Sequence, residues 1–315
     1  MRKKFLNFTA IALMVLFAAC SKEELITDIN TETVRTLSLT ASMPVTRVAL
    51  AQDENKIAVS WEEGDKIQLL FVQGANNASV TATVDRVSND GKKAHFEIPI
   101  PEGANGQFTL YGVYGGGGIY AVNDTIAAVL PENPGSVTLA ENQTNVMLYF
   151  ETSMQATDEE ASVSFQHIGS LFNISINNIT QNTINFLGAN NIAEVRLVGK
   201  IGPTEWAFND YSGQYFDLVS KEFKHLPATP PGNYISFKNG SPITNGKTTF
   251  WGWYPPLSKN KWPELELELR NSDGSFILTS TNTLPTRANA PVAGMSYNFY
   301  ASFNVSNEIS FVPEF

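Results

Sequence analysis

The sequence predicts an all-β protein arranged as two tandem β-sandwiches. Three observations carry that reading. Apolar and polar residues alternate with a period of two over many short runs, from LSLTASM (37–43) through DKIQLLFV, ASVTATV, AHFEIPI, ASVSF, LFNISI, AEVRLV and LELEL to SYNFYASF (296–303). Turn signals separate these runs: Asn89-Asp90-Gly91 stands between Val84–Val87 and Ala94–Ile98, and Ser272-Asp273-Gly274 between LELEL and SFILTS. Helical periodicity is nearly absent, and no capped apolar stretch of about twelve residues has helical spacing. Many short strands with turns between them argue for sandwiches, not for an α/β enzyme.

Taken in order, residues 1–19 read as an export segment. Arg2, Lys3 and Lys4 make a basic end, Ile11–Phe17 is unbroken apolar sequence, and Ala18 and Ala19 are small. The run is much shorter than the roughly 20 apolar residues a membrane-spanning helix needs. Leu16, Phe17, Ala18, Ala19 and Cys20 resemble the lipobox of bacterial lipoproteins, a resemblance that makes Cys20 the lipidated first residue of the mature chain. Cys20 is the single cysteine of 315 residues, so it forms no intrachain disulfide. Residues 20–36 are polar and read as a tether, and Ser-Lys-Glu-Glu after Cys20 resembles the surface-export signal of Bacteroidetes lipoproteins. Loss of three basic residues with the export segment takes the formal charge from −10 to −13 (18 Lys plus Arg against 31 Asp plus Glu). That balance is poorly suited to nucleic acid or anionic lipid. The remainder fits two domains better than one, predicted as 37–157 and 158–315 with the break in MQATDEEA (154–161).

Chemistry is sparse. His95, His167 and His225 stand alone, with no metal-ligand spacing, so no metal or cofactor is expected. Gly115–Gly118 lacks a following helix and a Lys-Ser or Lys-Thr pair, and reads as a hairpin or bulge, not a phosphate loop. No Gly-x-Ser-x-Gly elbow is present. Asp53, Glu54, Glu62, Glu63 and Asp65 form the densest carboxylate group, read as solvated loop charges, with a weak Ca²⁺ site as the alternative. The chain is therefore expected not to be an enzyme. WGWYPP (251–256) admits two readings: Trp251, Trp253 and Tyr254 as glycan contacts stacking on sugar rings, or Trp251 and Trp253 as core or interdomain packing.

Four stretches together resemble the fimbrillin-like proteins of Bacteroidetes, lipoprotein precursors of pilus and adhesion subunits. They are Thr46-Arg47 after the first strand; Trp61, Gly64, Asp65 and Ile67 in SWEEGDKIQLLF; Phe165 and His167 in SFQHIGSLFNISI; and Gly294, Tyr297 and Phe299 in PVAGMSYNFYASF. The resemblance implies transthyretin-like sandwiches and export as a lipidated precursor at the outer-membrane surface. In polymerising members an arginine-specific protease removes the first strand; the matching bond here is Arg47–Val48, and Arg35–Thr36 is a second candidate. Other fimbrial subunits are the implied partners, with host or bacterial surface glycans or proteins as further ones. The donor-strand candidate is the C-terminal segment FNVSNEISFVPEF, through Phe303, Val305, Ile309 and Phe311. Asp124-Thr125-Ile126 matches the Bacteroidetes O-glycosylation pattern, with Thr125 as acceptor. The alternative function is a non-polymerising surface lipoprotein that binds glycans.

Overall fold

The computed structural model describes residues 35–44, 60–130, 146–200, 214–224, 233–238, 243–254, 262–287, 289 and 291–312. The period-two runs all form strands. LSLTASM supplies β1 (Thr36–Ser42), whose leucines point inward and whose Ser38, Thr40 and Ser42 are half-buried. It lies inside a four-stranded sheet, flanked by β10 (Glu160–Ser164) and by β5 (Lys93–Pro99), with β4 (Arg86–Ser88) beyond β5. Facing it is a five-stranded sheet in the order β11 (Gln166–His167), β9 (Leu148–Gln155), β6 (Gln107–Tyr114), β2 (Lys66–Gln73), β3 (Asn76–Thr83).

Trp61 ties these two sheets together. Its ring meets Phe96 of β5 at 5.5 Å, Tyr114 of β6 at 5.0 Å and Phe165 at 5.4 Å, all edge-on. Such T-shaped pairs suit the ring quadrupole and add to the burial term. Opposite Phe150, β6 carries Gly112; a Cβ there would lie 2.0 Å from the Phe150 ring, so glycine makes room for this aromatic cluster.

The other face of the five-stranded sheet is covered too, and Leu70 and Tyr111 are buried on it. The cover is a small sheet of β7 (Gly118–Val122), β8 (Thr125–Val129), β14 (Tyr215–Asp217) and β15 (Glu222–Lys224). Tyr149 packs on Phe216 at 5.5 Å, and Lys221 pairs with Glu151 at 2.6 Å. Strands β8 and β14 pair directly, Phe216 opposite Ala128, so this sheet joins residues from both halves of the sequence.

Residues beyond 169 build a further pair of four-stranded sheets. One runs β17 (Gly246–Tyr254), β12 (Ser170–Ile179), β20 (Ser296–Phe303), β21 (Ile309–Phe311). The other runs β16 (Tyr234–Lys238), β13 (Ile192–Gly199), β18 (Leu265–Asn271), β19 (Ile277–Thr279). LELEL is β18: Leu265, Leu267 and Leu269 are buried, while Glu266 pairs with Lys200 at 2.7 Å. The all-β expectation therefore holds, with one addition. Gln181–Ala189 forms a nine-residue helix, α1, capped by the Thr180 hydroxyl accepting from the Thr183 N–H.

The acidic turn in MQATDEEA joins β9 to β10 within the first pair of sheets. Asp158 closes it, its carboxylate accepting from the Gln155 N–H at 2.8 Å. The chain crosses here from one facing sheet to the other and stays with them through His167. The Asn89-Asp90-Gly91 turn is where the sequence places it, with φ of 54°, 51° and 78°. Gly115, at φ 73°, belongs to the connection from β6 to β7; a Cβ there would meet the Val146 carbonyl at 2.4 Å.

Candidate functional site

The feature with most functional content is the seat of β1. Leu37, Leu39 and Ala41 are fully buried and Met43 is 4% exposed. The strand pairs parallel to β10, with Leu39 opposite Ala161, and antiparallel to β5, with Leu39 opposite Phe96. Backbone bonds extend the seat at both ends: Ser38 N–H donates to Glu159 O at 2.8 Å, and Met43 N–H to Lys92 O at 2.9 Å. Across the ladder, Thr40 Oγ1 and His95 Nδ1 are 3.0 Å apart, and His95 Nε2 lies 3.3 Å from Ser88 Oγ. His95 is thus a hydrogen-bonded sheet residue.

Removing β1 would leave a slot with a bare strand edge on each side. Its three large side chains, Leu37, Leu39 and Met43, represent roughly 5–9 kcal/mol of burial at 1.5–3 each. Such an emptied slot would favour refilling by an extended, alternating segment. The Arg47–Val48 bond lies outside the described residues, as do Cys20 and His225.

The motif Trp61-x-x-Gly64-Asp65 is a turn that delivers β2. Gly64 sits at φ 90°; Asp65 N–H donates to Glu62 O at 3.2 Å, and the Asp65 carboxylate accepts from Glu62 N–H at 2.9 Å. Its other oxygen accepts from the Tyr114 hydroxyl at 3.4 Å. Burial and the Asp65 charge together push that phenol well above its ordinary range. Asp53 and Glu54 lie outside the described residues, and among the described residues no three metal-ligating side chains converge. A cleft of about 160 Å³ lined by Phe71, Gln73, Asn76 and Phe108 brings in a single carboxylate, Glu102, with no basic or nucleophilic partner.

His167 lies at the passage from β11 to β12. Burial lowers its pKa to about 4, so the ring is neutral near pH 7. Gly294 presses on it: a Cβ at Gly294 would stand 3.1 Å from His167 Cδ2, and Gly294 N–H donates to Gly169 O at 2.8 Å. Phe165, two residues earlier, touches Trp61. Three of the four stretches that carry the family resemblance therefore meet in one packed seam.

Trp251, Trp253 and Tyr254 are 8%, 1% and 2% exposed. They lie on β17, registered against β12, where Trp253 faces Leu171, and a Cβ at Gly169 would stand 2.5 Å from the Trp253 ring. Burial is continuous along β17 from Phe250 to Tyr254, so these rings lie in the interior. Trp251, Trp253 and Tyr254 are thus buried in the fold, while Pro255 and Pro256 lie outside the described residues.

The C-terminal alternation is likewise in use. Phe303 closes β20, and Ile309 and Phe311 of β21 are buried against it. Val305 is fully exposed at the turn between them. The Asn282 side chain grips β21, accepting from Phe311 N–H at 2.7 Å and donating to Phe311 O at 2.9 Å. Within the donor-strand candidate, Ile309–Phe311 form the second arm of a hairpin in this chain. Thr125 opens β8 directly after the Asn123-Asp124 turn and is half-buried, with Ile126 beside it in the interior.

No family model matches the chain, and no curated protein matches it in sequence. Solved structures do. A candidate cell adhesion protein from Bacteroides ovatus matches 90% of this chain and 96% of its own, at 14% identity and TM-score 0.51. A candidate cell adhesion protein from Bacteroides uniformis matches over 90% and 98%, at 14% identity and TM-score 0.45. The fimbrial anchor protein Mfa2 from Porphyromonas gingivalis matches over 88% and 96%, at 8% identity and TM-score 0.42. The chain shares its fold with the first of these.

Proposed function

We propose that this chain is a fimbrial or cell-adhesion subunit, delivered as a lipoprotein and assembled by exchange of its first strand. The observation that carries the proposal is the position of β1, interior to its sheet with both neighbours paired to it and its apolar side chains fully enclosed. A cut after Arg47 severs β1 from the rest of the body while leaving the slot intact. A strand from another subunit then restores the lost pairing and burial, the logic of strand addition at an open edge. Anchorage through Cys20 at the outer-membrane surface and O-glycosylation at Thr125, beside an exposed hairpin turn, belong to the same proposal. So does the two-domain division, with β10 and β11 kept in the first domain.

The structure shapes the donor. If the C-terminal segment of one copy fills the slot of another, β21 must first leave β20 and release Asn282. As a three-residue strand at a sheet edge, β21 has ladder pairing on one side alone. Detergent-solubilised precursor treated with an arginine-specific protease tests the proposal. A new N-terminus at Val48 followed by an oligomer ladder supports it; a chain that is cut and stays monomeric rules out strand exchange for this protein.

A further inference from the structure

Two arginines bracket β1, Arg35 at its head and Arg47 beyond its tail, and Arg35 is committed to the fold. Its Nη1 donates to Ala156 O at 3.1 Å and its Nη2 to Ala104 O at 2.5 Å. Its own carbonyl accepts from Ile100 N–H at 2.8 Å, and the next residue, Thr36, stands opposite Pro99 in the ladder. Ala156 begins the turn that leaves β9, and Ala104 lies in the connection from β5 to β6. These two receiving segments are themselves fixed, since Ala156 N–H donates to Gly106 O at 2.7 Å and Ala104 N–H to Pro101 O at 3.2 Å. One planar guanidinium thus bridges the head of β1 to segments belonging to both facing sheets, a geometry that a lysine ammonium reproduces poorly.

We infer that Arg35 is the retention clasp of β1: it withholds the Arg35–Thr36 bond from arginine-directed proteolysis and sets how fast β1 departs once the chain is cut beyond it. An arginine-specific protease needs the side chain in its pocket and the main chain free in its cleft. At Arg35 the side chain is spent on two carbonyls, and the main chain is already paired. The clasp also marks the form that still holds β1. Residues 288–315 contain no lysine or arginine, so a strand from that stretch seated in the slot does not rebuild it. Only the part concerning departure rests on the strand-exchange reading; protection of the bond is a property of the uncut chain.

The test uses the full chain with Cys20→Ala and a recognition sequence for a non-arginine protease inserted after Ala51. After cutting there, release of the N-terminal fragment is followed by size exclusion at a concentration too low for association. Arg35→Ala is expected to release it roughly tenfold faster than the parent, with Arg35→Lys between them, because Arg35 is solvent-exposed and its two charge-assisted hydrogen bonds act well below their buried strength. Amide exchange at Leu37 and Leu39 of the uncut chain should rise in step, while exchange in β12 stays unchanged. In the parent, an arginine-specific protease should leave Arg35–Thr36 intact under native conditions and cut it in urea. Equal release from all three chains, or native cutting at Arg35–Thr36 as fast as in urea, overturns the clasp. A nicked parent chain that sheds β1 and never oligomerises contradicts strand exchange and leaves the clasp standing.

Discussion

Two residues show how local chemistry sets the first packed unit. Gly112 carries no side chain because Phe150 occupies the place where one would be. Gly112→Ala should cost about 1–3 kcal/mol by overpacking, read as a lower urea midpoint with unchanged slope. His167 is held neutral by burial, with a folded-state pKa of about 4 against 6.5 when unfolded. Between those values the unfolded chain binds more protons, so stability falls as pH drops from 6.5 to 4 and is fully present above 6.5. The loss is up to about 3 kcal/mol at 1.36 per pH unit. His167→Gln should flatten that limb relative to the parent in urea melts at stepped pH; parallel profiles would show that the ring titrates freely.

Among elements, β1 combines a fully buried apolar face with a position near the head of the described chain. Leu39→Ala should destabilise the uncut chain by about 2–5 kcal/mol, since its site is closed on both sides and collapses little. The same change should weaken reseating of a synthetic β1 peptide in the nicked chain, and a peptide that binds equally well with either residue would contradict the slot. The strands were legible because one face of each is apolar. Helix α1 was not: it is nine residues long, contains Asn182, Asn185 and Gly188, and buries only Thr183 and Leu187. Nor did the alternation of Phe303, Val305, Ile309 and Phe311 reveal a hairpin. The turn that breaks it is made by Asn304, whose carboxamide oxygen accepts from Ser306 N–H at 2.9 Å and Glu308 N–H at 3.0 Å. A period of two cannot say whether a strand pairs at home or abroad.

At the scale of the whole molecule, what the sequence hid is long-range. Pairing of β8 with β14 joins segments about ninety residues apart and leaves no local trace in either. Burial of Trp251 and Trp253 belongs to the continuous burial along β17, which alternation alone does not disclose. What the sequence did disclose, through Trp61, Phe165, His167 and Gly294, is a structural seam, not a chemical site. The proposed function rests on exchange of β1, and assembled material sheared from cells offers the direct test. Mass spectrometry of its N-terminus should find Val48, with Cys20 and β1 gone. Assembled subunits that retain acylated Cys20 and residues 36–42 would contradict strand exchange outright.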